Sequence, residues 1–457
     1  MFTKLRIKNF KAWGEQLWDP GVELAPITLL LGANSAGKTS ILQVPLLLSQ
    51  TFGSTDRSLD LNLGGQKGDL LDFGSYEDVV HGHDPTLELG FGLSIKNRPS
   101  SLASSTSHFL HNTPEFFEYE AIYTQAAKVP AIKSLRFFEN DSEYGADRQA
   151  RGGYRLVATG YEPKIIGGHP IARRTFQPER SLTLPADALA ELGHFGSRAQ
   201  DLALETRKAV EAIAYLGPLR ESPERSYLWG RQTPGTLGPR GQRAVHALLA
   251  SANSRKKRKA GEEGGRGWLV DRVSEWLNRM GIADSLELER QGRSRYFEVI
   301  LTTRGQRANI VDVGFGISQV LPMIVLAYFV PRGTVIVAEQ PEIHLHPNAQ
   351  VGLAELMVHV AQERKVQFIL ETHSEHVFRH LQLLIAKEKV SSDDCRLYFV
   401  NTEKKGTARL VPLEIDEFGR VANWPKNFFG DAIGDAEQQV RNMIRRLRAK
   451  NKETKHG

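Results

Sequence analysis

Apolar and polar positions change rhythm several times along the chain. Near the start, "KLRIKNF" and "PITLLLG" read as strands, and the second runs straight into "GANSAGKTS" (Gly32 to Ser40). "KTSILQVPLLLSQ" then has apolar positions at helical spacing, in spite of Pro45. Between about residues 85 and 175 short alternating segments take over, "TLELGFGLSI", "FFEYEAIYTQ", "SLRFFEN" and "YRLVATG", and predict an antiparallel sheet. A helical pattern returns in "RAQDLALETRKAVEAI". "GPLRESPERSYLWG" and "TPGTLGPRGQ", rich in Gly, Pro and Arg, read as irregular linker. "SRKKRKAGEEGGRG" (Ser254 to Gly267) reads as a basic-then-acidic surface loop, with contact to nucleic-acid phosphate as the alternative. Two more strands follow, in "GTVIVAEQ" and "KVQFILETH". No heptad pattern is sustained, so a long coiled coil is excluded.

Composition narrows the class. At 457 residues the chain exceeds the size at which a single core stops growing, so two lobes are expected. The net charge of +6 is compatible with an acidic partner such as nucleic acid without requiring one. A single cysteine, Cys395, excludes an intrachain disulfide framework and reads as a small core residue of a reducing compartment. The opening "MFTKLRIKNFKAW" lacks the apolar run of a secretory signal, and the longest apolar run, Val320 to Val330, is too short to span a bilayer. The expectation is a soluble, cytoplasmic protein with no membrane partner.

The glycine-rich stretch has the Gly-x4-Gly-Lys-Thr spacing of a phosphate-binding loop between a strand and a helix. Gly32 and Gly37 let backbone N–H groups face phosphates, Lys38 reaches the terminal phosphates, and the Thr39 hydroxyl can ligate Mg²⁺. Asn34, Ser35, Ala36 and Ser40 complete the loop. The later strand, Thr334 to Val337, leads into Glu339, the layout of a Walker B element, whose acid can reach Mg²⁺ at the phosphate loop. One strand further on, His373 in "ETHSEH" could hydrogen-bond the γ-phosphate or the attacking water. His344 and His346 in "HLHP", two histidines without further clustered ligands, are weak evidence for a metal.

In this order, "LRIKNFKAWGEQ…APITLLLGANSAGKTSIL", "VGFGISQVLPMI", "VIVAEQPEIHLHPNAQ" and "FILETHSEHVF" resemble the ABC-type ATPases of the SMC, RecF and OLD group. More narrowly, the set looks like the AAA-type ATPases of bacterial anti-phage defence, such as those of the Septu and PARIS systems without a fused nuclease. The resemblance covers about residues 1 to 95 and 270 to 430. It implies an α/β P-loop NTPase of ABC/SMC-head type, with a mixed central sheet, an antiparallel β-lobe and a helical lobe. The corresponding division is an N-terminal ATPase part (1–100), a β-rich and helical insert (101–215), a linker with the basic loop (216–270), a C-terminal ATPase part (271–420) and a basic helical tail (421–457).

The resemblance further implies ATP and Mg²⁺ as cofactors and head-to-tail packing of two protomers, as a homodimer or higher homo-oligomer. Each ATP would lie between the phosphate loop of one protomer and a signature loop of the other. "GFGISQ" occupies the signature position: Gly314 and Gly316 would allow backbone approach, and Ser318, followed by Gln319, would donate across the dimer. Its order departs from the usual Ser-Gly-Gly. Lys11 matches a basic residue that lies near the nucleotide in the group. "DFGSYEDVV" (Asp72 to Val80) falls where a loop links Mg²⁺ to the lobe interface, without the usual glutamine. Where most members carry a glutamate after the Walker B acid, this chain has Gln340, which can orient water but cannot take its proton; Glu342 could supply the base. Slow hydrolysis is the expectation.

Two functions follow: a nucleotide-gated scaffold or sensor controlling a separate effector, a nuclease or toxin, in anti-phage defence; or a RecF-like DNA-binding ATPase of DNA repair. After the histidine loop the sequence shows no carboxylate cluster like that of the nuclease fused to OLD enzymes, so a nuclease is expected on another chain. "VRNMIRRLRAKNKETKHG" places Val440, Met443, Ile444 and Leu447 on one helical face among arginines, a surface for the protein itself, a partner or nucleic acid.

Overall fold

The computed structural model describes residues 1–97, 114–257, 263–402 and 407–424. The chain begins with β1 (Phe2–Lys8), β2 (Leu17–Glu23) and β3 (Ile27–Gly32), followed by α1 (Lys38–Phe52) and the short α2 (Tyr76–Val79). Next come β4 (Leu89–Lys96), β5 (Phe116–Ala126), β6 (Val129–Glu139), β7 (Ser142–Arg148), β8 (Tyr154–Ala158) and the two-residue β9 (Ile165–Ile166) and β10 (His169–Pro170). Helices α3 (Ala186–Leu192) and α4 (His194–Glu211) lead to β11 (Ile213–Leu216), β12 (Tyr227–Leu228), α5 (Ala244–Ala252) and α6 (Trp268–Arg279). The chain continues through β13 (Ser285–Arg290), β14 (Tyr296–Thr303), β15 (Gln306–Asn309) and α7 (Gly316–Phe329). It then forms β16 (Val335–Glu339), α8 (Pro347–Arg364), β17 (Gln367–Glu371), α9 (Glu375–Ala386), β18 (Cys395–Thr402) and β19 (Ala408–Pro412).

A six-stranded sheet of order β11-β16-β17-β3-β18-β19 lies at the centre. Its first five strands are parallel and β19 closes the edge antiparallel to β18. Strands covered on both faces need apolar residues at every position, and β16 and β17 are buried throughout. Alternate residues feed two separate cores. Ile27, Leu29, Leu31, Ile336, Ala338, Phe368 and Leu370 pack with α5 to α9 on one face. Leu30, Val335, Val337, Ile369 and Val400 pack with α1, α4 and the second sheet on the other.

That second sheet is antiparallel and seven-stranded, of order β2-β1-β4-β5-β6-β7-β8. The alternating segments from residue 85 onward therefore continue the sheet begun by the N-terminal strands, with β4 on β1 and β5 on β4. β7 is absent from the hydrophobic pattern because it is short and half polar, and its Gly145 leaves no room for a side chain: a Cβ there would lie 1.9 Å from the Leu135 carbonyl oxygen. β11 was hidden at the tail of a helical pattern; α4 stops at Glu211 and Ile213 already pairs with Val335. The basic-then-acidic loop is anchored at its acidic end, where Glu263 pairs with Arg332 at 3.2 Å and with the buried Arg364 at 3.4 Å. The arginine-rich C-terminal helix proposed for residues 440–450 lies outside the described residues.

Candidate functional site

Strands β3, β16 and β17 run parallel, so Gly32, Glu339 and Glu371 all emerge at one carboxyl edge; Glu339 pairs with Glu371, and Glu371 with Leu30. The chain turns there from β3 into α1. Gly32 has φ +138°, and a Cβ on it would come 2.0 Å from the Val400 carbonyl oxygen, so only glycine fits. Gly37 (φ +102°) caps α1, and the Trp13 indole donates to its carbonyl at 3.0 Å. Between them Asn34 and Ser35 are exposed, Ser35 in a left-handed conformation, and Ala36 is buried, as is Ser40 in the first turn of α1. The open amides at the N-terminus of a 15-residue helix suit an anion.

Lys38 is 2% exposed. Its ammonium donates to the carbonyls of Gly32 at 3.1 Å and Ala33 at 2.6 Å, and lies 3.5 Å from Glu371 Oε1. Burial pulls its pKa down, against the attraction of Glu371. The Thr39 hydroxyl donates to Glu371 Oε2 at 2.6 Å. Glu371 was not among the residues singled out from sequence, although "FILE" ends a buried strand on an acid just as "VIVAE" does.

Glu339, the candidate Mg²⁺ acid, accepts a hydrogen bond from the Tyr215 hydroxyl at 2.7 Å, and Arg220 donates to its carbonyl at 3.2 Å. Burial raises the Glu339 pKa, and Glu371 adds to the shift. Lys11, in a left-handed conformation, donates to Gln43 at 2.8 Å, with its ammonium 4.0 Å from the Phe73 ring centre. Burial lowers its pKa to about 8, opposed by Glu339. The stretch Asp72 to Val80 packs against this lysine: the Lys11 amide donates to the Val79 carbonyl at 2.7 Å.

Gln340 sits in a left-handed conformation (φ 44°), and its amide donates to the Glu371 carbonyl at 2.8 Å. Glu342 is 6% exposed; one oxygen accepts the His373 amide at 2.7 Å and the other has no partner. Burial raises its pKa. His373 Nε2 lies 3.9 Å from Glu371, and burial, with Lys38 nearby, lowers its pKa, which favours a neutral imidazole that donates and accepts hydrogen bonds.

Phosphate loop, both strand-end acids, Gln340, Glu342, His373 and Lys11 thus share one edge of the sheet. Gly316, Ser318 and Gln319 lie at the start of α7, where the Ser318 hydroxyl donates to the Phe315 carbonyl at 2.6 Å and Gln319 Nε2 lies 3.4 Å from Ser318 Oγ. Phe315 stacks edge-on against His344, their centroids 5.3 Å apart, beside a cavity of about 310 Å³ that Gly314, Gly316, His344 and His346 help to line. His346 caps α8, and among the described residues no group of three or more His, Cys, Asp and Glu is placed to hold a metal.

The chemistry of these groups fits a magnesium nucleotide: a glycine cradle too tight for side chains, a buried lysine, a hydroxyl and strand-end carboxylates that leave most Mg²⁺ positions to phosphate and water. Fold and edge together have the layout of a P-loop nucleotide-binding fold. The chain belongs to the family described as "AAA domain, putative AbiEii toxin, Type IV TA system", whose model matches residues 27–379. A second family model, described as a protein of unknown function (DUF3696), matches residues 390–439.

The OLD nuclease of Thermus scotoductus is 22% identical over 377 residues, 82% of this chain; the chain spans 59% of that relative. Among solved structures, the SMC head domain from Thermotoga maritima has 11% identity and a TM-score of 0.40, covering 91% of this chain and 99% of its own. An Smc head domain with an extended coiled coil bound to the C-terminal domain of ScpA, from Pyrococcus furiosus, has 10% identity and a TM-score of 0.41, covering 97% and 99%. Among the described residues no helix is long and apolar enough to cross a membrane.

Proposed function

We propose that this protein is an ATP-binding, slowly hydrolysing switch that works as a cytoplasmic homodimer or higher homo-oligomer and controls a separate effector, a nuclease or toxin, in anti-phage defence. The phosphate loop, Gly32 to Ser40, holds the phosphates, with Lys38 on the terminal ones. Thr39 and Glu339 hold Mg²⁺, and Glu371 orients Thr39 through its hydroxyl. The ion supplies charge compensation for the leaving phosphate oxygens. His373 lies by Glu371 and Lys11 within electrostatic reach of Glu339, and Gly316, Ser318 and Gln319 complete the nucleotide site of a second copy packed head to tail. The toxin-antitoxin description of the family and the resemblance to a nuclease-bearing relative support the defence setting.

The observation that carries the slow-switch reading is Gln340. It occupies the position after the strand-end acid, pinned by its backbone N–H to the Glu371 carbonyl, and its side chain offers an amide where a proton acceptor would speed hydrolysis. Steady-state turnover of Gln340→Glu tests it. A rise of roughly tenfold or more at unchanged ATP affinity is expected from adding a general base. An unchanged or lower rate with intact ATP binding counts against the reading.

A further inference from the structure

The segment that leaves β11 shows an inversion of burial. Leu219 is 75% exposed while its neighbour Arg220 is 7% exposed. Apolar burial drives folding and a buried guanidinium opposes it, so this arrangement has to be held by something other than core packing. The backbone supplies the hold on both sides, with the Gly217 amide donating to the Pro239 carbonyl at 2.8 Å and the Glu221 amide to the Arg240 carbonyl at 2.9 Å. β11 runs parallel to β16, Leu216 beside Ala338, so the next few residues carry Arg220 across the carboxyl edge onto the Glu339–Gln340 turn.

There the guanidinium is underused. Nη2 donates to the Glu339 carbonyl at 3.2 Å, while the buried Nε and Nη1 have no partner. On the same turn Glu342 has a buried oxygen, Oε2, without a partner, and Arg220 is within electrostatic reach of it. Buried polar atoms are nearly always satisfied, and an unpaired donor edge together with an unpaired acceptor is the polar lining that an enclosed water needs.

We propose that Arg220 is a positioning residue for ATP hydrolysis, its free N–H edge and Glu342 Oε2 holding the attacking water on the turn where Gln340 cannot accept a proton. The water oxygen bonds to the γ-phosphorus as the bond from that phosphorus to the β–γ bridging oxygen breaks. The water's proton passes to Glu342 Oε2, and ADP and inorganic phosphate leave. Arg220 donates to the water throughout and exchanges no proton. This role rests on the ATPase reading above, and deepens it by locating the base and the group that aims the water.

The test uses the full chain with Arg220→Gln, Arg220→Lys, Glu342→Gln and the two double variants, each measured for ATP affinity, kcat and Tm. Arg220→Gln is expected to lower kcat at least tenfold with ATP affinity within about twofold, because it loses aim and not binding. Arg220→Lys recovers part of the rate. In the Glu342→Gln background either change at Arg220 costs nothing further, since the water has already lost its acceptor. Should Arg220→Gln fail to fold, the Arg220→Lys and Glu342→Gln pair gives the same non-additivity. Unchanged kcat in folded Arg220→Gln, a loss that only tracks ATP affinity or Tm, or strictly multiplicative losses in the double variants overturn the role. Those outcomes, with normal wild-type turnover, leave the ATPase reading standing; a wild-type chain that neither binds nor hydrolyses ATP overturns both.

Discussion

Strands β16 and β17 lie side by side, are equally short and equally buried, and end on glutamates that face each other in register. Their surroundings nevertheless differ. Glu371 is gripped by the phosphate loop, through Lys38 and the Thr39 hydroxyl. Glu339 is gripped from the opposite side, through Tyr215 on β11, with Lys11 near enough to oppose its burial but bonded elsewhere. The strand order β11-β16-β17-β3 explains the split, because each acid is served by the outer neighbour of its own strand. Identical local patterns thus acquire different chemistry from the strand placed beside them. Glu371 is built into the loop between β3 and α1, and Glu339 is tied to the segment that brings in Arg220.

The largest effect that this comparison predicts is at Lys38. Lys38→Ala removes the only ammonium inside the loop and should reduce ATP affinity about 100-fold or more, roughly 3 kcal/mol, measured by equilibrium nucleotide binding. Retained affinity would falsify the loop assignment on which both glutamates depend. The next effect separates the two acids. Glu371→Ala strands a buried ammonium and leaves the half-buried Thr39 hydroxyl without its acceptor, and should destabilise the free protein by about 3 kcal/mol in denaturant unfolding. Glu339→Ala breaks one phenol hydrogen bond and relieves a carboxylate that burial already disfavours, so about 1–2 kcal/mol is expected. Equal losses would mean that the two strand ends are equivalent after all.

What could be read from the sequence was whatever is local. Gly32, Gly37, Lys38 and Thr39 lie within eight residues, and the "VIVAE" strand announces its acid by ending on it. The antiparallel sheet from residue 85 onward was visible as a change of hydrophobic rhythm. The partners of the acids were not visible, because strand order is non-local: β3 sits between β17 and β18, more than 330 residues away along the chain from the Glu371 that its loop contacts. Glu371 stood inside a quoted motif, overshadowed by His373 two positions on. Tyr215 lay at the end of a helical pattern, and Arg220 in a Gly/Pro-rich stretch that reads as linker by composition. An arginine in such a stretch is normally solvated, and only its burial beside an exposed leucine marks it out.

The smallest effect concerns the two lysines and turns on how well each buried charge is compensated. Lys38 is held by carbonyls and a carboxylate, whereas Lys11 meets the Gln43 amide oxygen and the Phe73 and Phe10 rings, so its buried charge is less well compensated. Its pKa falls to about 8, mainly through burial. In the unfolded chain a lysine keeps its proton up to about pH 10.4, so between about pH 8 and pH 10 the unfolded state binds more protons than the folded one. The charged Lys11 therefore costs stability below pH 8, and the cost is relieved as pH rises through 8 towards 10. Lys11→Met should remove it, raising stability at pH 7 by about 1 kcal/mol after allowance for partial exposure, and flattening the rise above pH 8. ATP affinity should fall several-fold in the same variant. A protein less stable than wild type at pH 7 would show that Lys11 is a structural partner of Glu339, as Lys38 is of Glu371, and would erase the asymmetry between the two strand ends.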